Sequence, residues 1–193
     1  IAVPYIHEIL KAMRIPILIK NGYEADDIIG TVAKKAEKNN YEVFMVTPDK
    51  DFAQLVSENI FMYKPARMGN GIEIWGVKEV QKKFEVSDPL QVIDFLGMMG
   101  DSADNIPGLP GVGEKTAKKF IAEYGSIENL LANTDQIKGK LKEKIEKNKE
   151  IGLLSKKLAT IILDVPINYD FKNFKLDDPN TQKIKEIFDE LEF

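Results

Sequence analysis

The sequence predicts an α/β fold, a mostly parallel sheet flanked by helices, followed by a helical carboxyl-terminal part. Three observations carry this. Apolar residues recur at helical spacing around short β-rich runs in the first half. The second half is helical in pattern and rich in lysine, and a polar, Gly- and Pro-bearing stretch at residues 100–113 stands between the two. The expected division is an α/β core over 1–99 and a helical subdomain over 100–193. With 193 residues, 44% of them apolar, the chain can bury a full core.

In order, residues 4–14 place Tyr5, Ile6, Ile9, Leu10 and Met13 at helical spacing, and 15–19 form a short apolar run ended by Asn21 and Gly22. Helix, then buried strand, is expected. Residues 24–38 repeat the helical pattern with Ile28, Ile29, Val32, Ala33 and Ala36 inward, and 41–46 are β-rich. Strand, helix, strand predicts a parallel unit with a right-handed crossover. A short helix at 51–56 and strands at 59–63 and 71–75 follow, the last two joined across Gly69, Asn70 and Gly71. Helices are expected at 77–84, 89–99, 113–124 and 126–132, then one long lysine-rich helix between 138 and 157. An extended stretch at 164–171 precedes a closing helix at 178–192 that begins with Asp178 and Pro179.

Composition narrows the chemistry. There is no cysteine and only one histidine, His7, so thiolate and imidazole-rich metal sites are excluded and any metal must be held by oxygen. No apolar run approaches the roughly 20 residues that span a bilayer; a soluble protein of the cytoplasm is expected, with no membrane partner. The net charge is −4, of which seven acids (Glu24, Asp26, Asp27, Asp49, Asp51, Asp101 and Asp104) contribute −7, leaving +3 on the rest. Residues 138–157 alone hold eight lysines against three glutamates. A basic surface around an acidic pocket suits a sugar-phosphate partner.

Glu24, Asp26 and Asp27 follow the first expected strand, and Asp49 and Asp51 the second, beyond the carboxyl ends where open α/β sheets bind ligands. Taken singly, each cluster also reads as ordinary helix-start chemistry, first-turn charge or an N-cap. Gathered together, like charges about 4 Å apart repel by about 4 kcal/mol at an effective dielectric near 20, so the pocket needs protons or cations. An all-oxygen pocket suits Mg²⁺ or Mn²⁺, and two such ions about 4 Å apart serve phosphodiester hydrolysis. In the dividing stretch, Asp101 and Asp104 lie in a polar turn. Gly111 and Gly113 are expected to take positive φ in a hairpin that opens a helix bearing Lys115, Thr116, Lys118 and Lys119. Such a helix start binds anions, although glycines in a loop are more often plain turn formers.

Three motifs carry a resemblance. Residues 23–30 (YEADDIIG), 47–51 (TPDKD) with Gln54 and Leu55, and 100–108 (GDSADNIPG) with 111–117 (GVGEKTA) resemble the 5′ nuclease domain of bacterial DNA polymerase I, a relative of the flap endonucleases, in matching order over essentially the whole chain. The resemblance implies a PIN- or flap-nuclease-like fold. It implies a structure-specific, metal-dependent 5′-3′ exonuclease that removes RNA primers and 5′ flaps in replication and repair. The motif positions Glu24, Asp26, Asp27, Asp49, Asp51, Asp101 and Asp104 then match the catalytic, two-metal carboxylates. Gly111, Gly113, Lys115, Thr116 and Lys118 match a helix-hairpin-helix element that grips duplex backbone and holds K⁺ on main-chain carbonyls. The implied partners are branched or nicked duplex DNA and the polymerase domains of a parent chain. Pro48 stands where such relatives often have a small residue. The chain opens at Ile1 in what reads as the body of a fold, so an amino-terminally cut fragment lacking part of the metal site, weak or inactive alone, is expected. Two other classes remain open: a plain DNA-binding module, and a nuclease for single-stranded RNA.

Overall fold

The computed structural model describes residues 2–66 and 71–193. Helix α1 (Ala2–Ala12) leads by an extended stretch to α2 (Ala25–Lys38), and strand β1 (Val43–Val46) follows. A short 3-10 helix (Lys50–Leu55) connects β1 to β2 (Ile60–Lys64), which lies parallel to it. Strand β3 (Glu73–Trp75) pairs antiparallel to β2 with Met62 opposite Trp75. Among the described residues the sheet has three strands in the order β1-β2-β3. The Gly69–Asn70 part of the expected hairpin turn lies outside the described residues.

The expected strand at 15–19 is not formed. Among the described residues the segment joins no sheet, and Ile15 and Ile19 are 43% and 63% exposed. An apolar run becomes a strand only where a neighbour takes its backbone hydrogen bonds, and β1 is paired on one side only, with β2. The crossover unit expected from it is therefore absent, and Phe44 and Val46 of β1 are left exposed. Ile29 of α2, expected inward, is also exposed, whereas Ile28, Ala33 and Ala36 are buried.

The helical part comprises α3 (Val77–Phe84), α4 (Gln91–Met99), α5 (Glu114–Tyr124), α6 (Ile127–Ala132), α7 (Lys140–Lys147), α8 (Lys149–Ala159) and α9 (Thr181–Glu190). The long lysine-rich helix expected at 138–157 is two helices. Asn148, at φ −123° and ψ 26°, leaves helical geometry, and its side-chain amide donates to Lys144 O at 2.7 Å, capping α7. The closing helix begins later than expected because Asn180, rather than Asp178, takes the capping role, accepting Lys183 N–H at 3.0 Å.

Helix α4 is the hub of the core. Val92, Phe95, Leu96 and Met98 are buried, and the helix packs on α8, on α5 and on the 3-10 helix. Its crossing with α8 is close because Gly97 has no side chain: a Cβ there would sit 2.7 Å from Lys156 Cα. Asp94, one turn earlier, is buried, accepts Ile127 N–H at 2.9 Å and pairs with the Lys156 ammonium at 2.7 Å, which also meets Glu128. Gly97→Ala is expected to push the two helices apart and to lower stability by about 1–3 kcal/mol in urea unfolding. Gly113→Ala, at φ −103° with open space around it, is expected to change stability by less than about 0.5 kcal/mol.

Candidate active site

Local sequence places the acids in strict positions. Glu24 caps α2, and its N–H donates to Asp27 Oδ2 at 3.2 Å, which ties the first turn to the cap. Asp49 follows β1 and caps the 3-10 helix, its Oδ1 accepting Asp51 N–H at 3.0 Å. The third motif is a miniature hairpin. Asp101 and Ile106 exchange backbone hydrogen bonds at 2.9 and 2.7 Å, and Asp101 Oδ1 accepts Ala103 N–H at 2.8 Å. Gly100 and Gly108 lie back to back behind this turn: at φ +76° and +65° both adopt the left-handed region, and a Cβ on Gly108 would meet Gly100 N at 2.5 Å.

These elements bring six of the seven predicted carboxylates together. Glu24, Asp26, Asp27, Asp49, Asp51 and Asp104 line one open cleft of about 820 Å³. Asp101 faces an adjoining hollow and pairs there with the Lys50 ammonium; Asn105 and Ile106 line both spaces. Among the described residues no three acidic or imidazole side chains yet stand in a metal-enclosing group. The far wall of the cleft is residues 157–162, which the sequence reading did not connect with the acids. Asp27 Oδ1 accepts Ile162 N–H at 2.8 Å, so both of its oxygens are engaged by backbone. The Thr31 hydroxyl donates to Ile162 O and accepts Val165 N–H, while buried Gln54 donates to Asp51 O and Ala159 O and accepts Ile161 N–H at 3.0 Å. Gly30 leaves the space that Ile161 and Leu163 fill.

The electrostatics follow from crowding. Burial first, then the charge of Asp49, pushes the Asp51 carboxyl up to about 6. Burial and the charges of Asp49 and Glu24 also raise Asp26. Asp101 moves the other way, because the hydrogen bond from Lys50 holds its carboxyl below the usual range. One oxygen of Asp51, Oδ1, is buried without a hydrogen-bond partner among the described residues. A buried carboxylate oxygen left unpaired in a cleft lined by six carboxylates and one lysine, Lys157, suits a hard divalent cation.

The predicted backbone-gripping residues divide. Gly111 takes φ +88°, but Gly113, expected at positive φ, is extended at −103° and caps α5. Lys115 is exposed. Lys118 is only 18% exposed and is bound to Glu85 and Glu114 at 3.2 and 3.1 Å, so its charge already has partners. The hairpin is fastened to α8 by the buried Ser155 hydroxyl, which accepts Gly108 N–H at 3.0 Å.

The comparisons with known proteins fit this geometry. Residues 1–85 match the family described as 5′-3′ exonuclease, N-terminal resolvase-like domain, and residues 87–182 match 5′-3′ exonuclease, C-terminal SAM fold. DNA polymerase I of Bacillus caldotenax is 41% identical over 191 residues, 98% of this chain and 22% of that protein. The chain thus spans about a fifth of the length of the curated relatives it matches. Among solved structures, the catalytic core of Rad2 in complex with DNA substrate superposes with a TM-score of 0.68 at 18% identity, over 99% of this chain and 65% of that one. A bacteriophage T5 flap endonuclease in a complex with DNA and metal ions gives 0.63 at 21% identity, over 91% and 62%. At these identities the likeness establishes a flap-nuclease fold.

The raised Asp51 carboxyl gives a pH prediction. A folded-state value near 6, above the ordinary 3.8, means that its protonated form favours folding; this contribution is present below about pH 4 and is lost as pH rises through 6. In EDTA, Asp51→Asn is therefore expected to raise Tm at pH 7.5 by about 2–4 °C, the shift that about 1 kcal/mol produces at this chain length, and to leave Tm unchanged at pH 4. Thermal unfolding followed by circular dichroism at the two pH values checks it.

Proposed function

The chain belongs to the 5′-3′ exonuclease family, and from that premise we propose that it is the nuclease part of a DNA polymerase I, hydrolysing phosphodiesters at 5′ flaps and RNA primers on branched or nicked duplex DNA. The observation that carries this reading is the cleft in which six carboxylates from three separate motifs meet. Glu24, Asp26, Asp49 and Asp51 would hold divalent cations, Mg²⁺ or Mn²⁺, with Asp104 and Asp101 on the opposite turn. Cations bound there supply a water of lowered pKa and charge neutralisation at the phosphate.

The chain's own residues do the rest. Asp27 adds charge while its two backbone bonds orient Glu24 and the 157–162 wall. Gln54 fixes the Asp51 backbone, and so the direction of its carboxylate. The hairpin around Gly111, with Gly113, Thr116 and the Lys115 ammonium, meets duplex phosphates and, through main-chain carbonyls, K⁺; contacts of this kind set register without reading bases. Lys118, held by two glutamates, serves the same surface by bracing α5 against α3.

A 5′-end-labelled flap duplex, a blunt duplex and a single strand of the same sequence test the proposal. Divalent-dependent binding that favours the flap is expected, with cleavage of whatever rate falling at least about tenfold in Asp49→Asn. Equal affinity for the single strand, or cleavage indifferent to EDTA, would remove the reading. Lys115→Ala is expected to weaken binding equally across sequences and to lower the log–log salt slope by about 1, as measured by fluorescence anisotropy.

A further inference from the structure

The hollow beside the acidic cleft has a cation of its own. Lys50 stands between Asp49 and Asp51, and its ammonium reaches across 51 residues of sequence to Asp101 Oδ2. The Asp101 side chain is 10% exposed and that of Lys50 41%, so the acid is the enclosed member of the pair and the lysine the solvent-facing one. Asp101 cannot follow a departing partner: its other oxygen accepts Ala103 N–H, and its backbone is locked to Ile106. Lysine, a point charge on a flexible four-carbon stem, can leave. The ordinary reading of such a pair is a surface salt bridge that steadies the turn. The turn, however, already has its own backbone bonds, and the hollow that holds the pair adjoins the acid-lined cleft, sharing Asn105 and Ile106 with it.

We propose that Lys50 is a tethered counter-cation that competes with divalent ions for Asp101 and thereby sets the cation concentration at which the site fills. The inference rests on the cleft being a divalent-cation site. An ammonium and a divalent ion on one carboxylate oxygen repel, so a divalent ion takes Asp101 Oδ2 only as Lys50 releases it. The lysine also gives Asp101 a partner while no divalent ion is bound.

Calorimetric titration of the chain with MnCl₂, without DNA, tests this in the wild type, Lys50→Met and Lys50→Arg. Lys50→Met is expected to bind Mn²⁺ about three- to tenfold more tightly, about 0.7–1.4 kcal/mol, and Lys50→Arg to stay near wild type because it keeps the charge. Wild-type binding with unchanged or weaker affinity in Lys50→Met overturns the inference alone. Absence of Mn²⁺ binding in both proteins overturns it together with the reading of the cleft. A second measurement needs no variant: saturation with Mg²⁺ is expected to shift the Lys50 ¹³Cε resonance as the ammonium leaves Asp101, and an unmoved resonance overturns the proposal.

Discussion

Repulsion among carboxylates is the constraint the rest of this structure answers. Six acids from distant parts of the chain line one cleft, where burial first and neighbouring negative charge second raise the Asp51 and Asp26 carboxyls. Left to electrostatics, the motifs would move apart. They are held by hydrogen bonds that reach beyond the acids: the Asp27 carboxylate to the Glu24 and Ile162 backbone, the Thr31 and Gln54 bonds to residues 159–165, and the Asp101–Ile106 turn.

The helical part supplies the rigid frame for that arrangement. Because Gly97 lets α8 lie directly against α4, the end of α8 delivers residues 157–162 to the cleft as its far wall. The same helix carries Ser155, whose hydroxyl holds the hairpin at Gly108, and Lys156, which neutralises buried Asp94. One helix therefore registers the acid turn, the hairpin and the cleft wall against one another. Removing either partner of the Asp94–Lys156 pair would leave a charge in a poor solvent, which is why such pairs hold geometry more firmly than their net energy suggests.

Much of this was legible from residue pattern. The helices at 77–84 and 114–124, the strand pair at 60–64 and 73–75, and the Asp49 cap follow from periodicity and capping chemistry that operate within a few residues. The misreadings share one cause. Among the described residues, 15–19 have the composition of a strand but no strand beside them, the 138–157 pattern hides a break because Asn148 is polar like its surroundings, and Ile29 is left 39% exposed. Each outcome depends on what lies opposite, and a pattern along the chain does not say what that is.

The same distinction divides the site. The types of its acids and the spacing within each motif belong to the sequence, because carboxylates two or three residues apart in a turn or helix start have little choice of direction. Their meeting, and the partners they meet, belong to the tertiary structure. The Asp27–Ile162 bond spans 135 residues, the Gly108–Ser155 bond 47 and the Lys50–Asp101 pair 51. Contacts at that separation are set by how α4, α8 and the 3-10 helix pack. Side-chain charge could be counted from the sequence, whereas its screening, burial and pairing were decided only once those elements closed on one another.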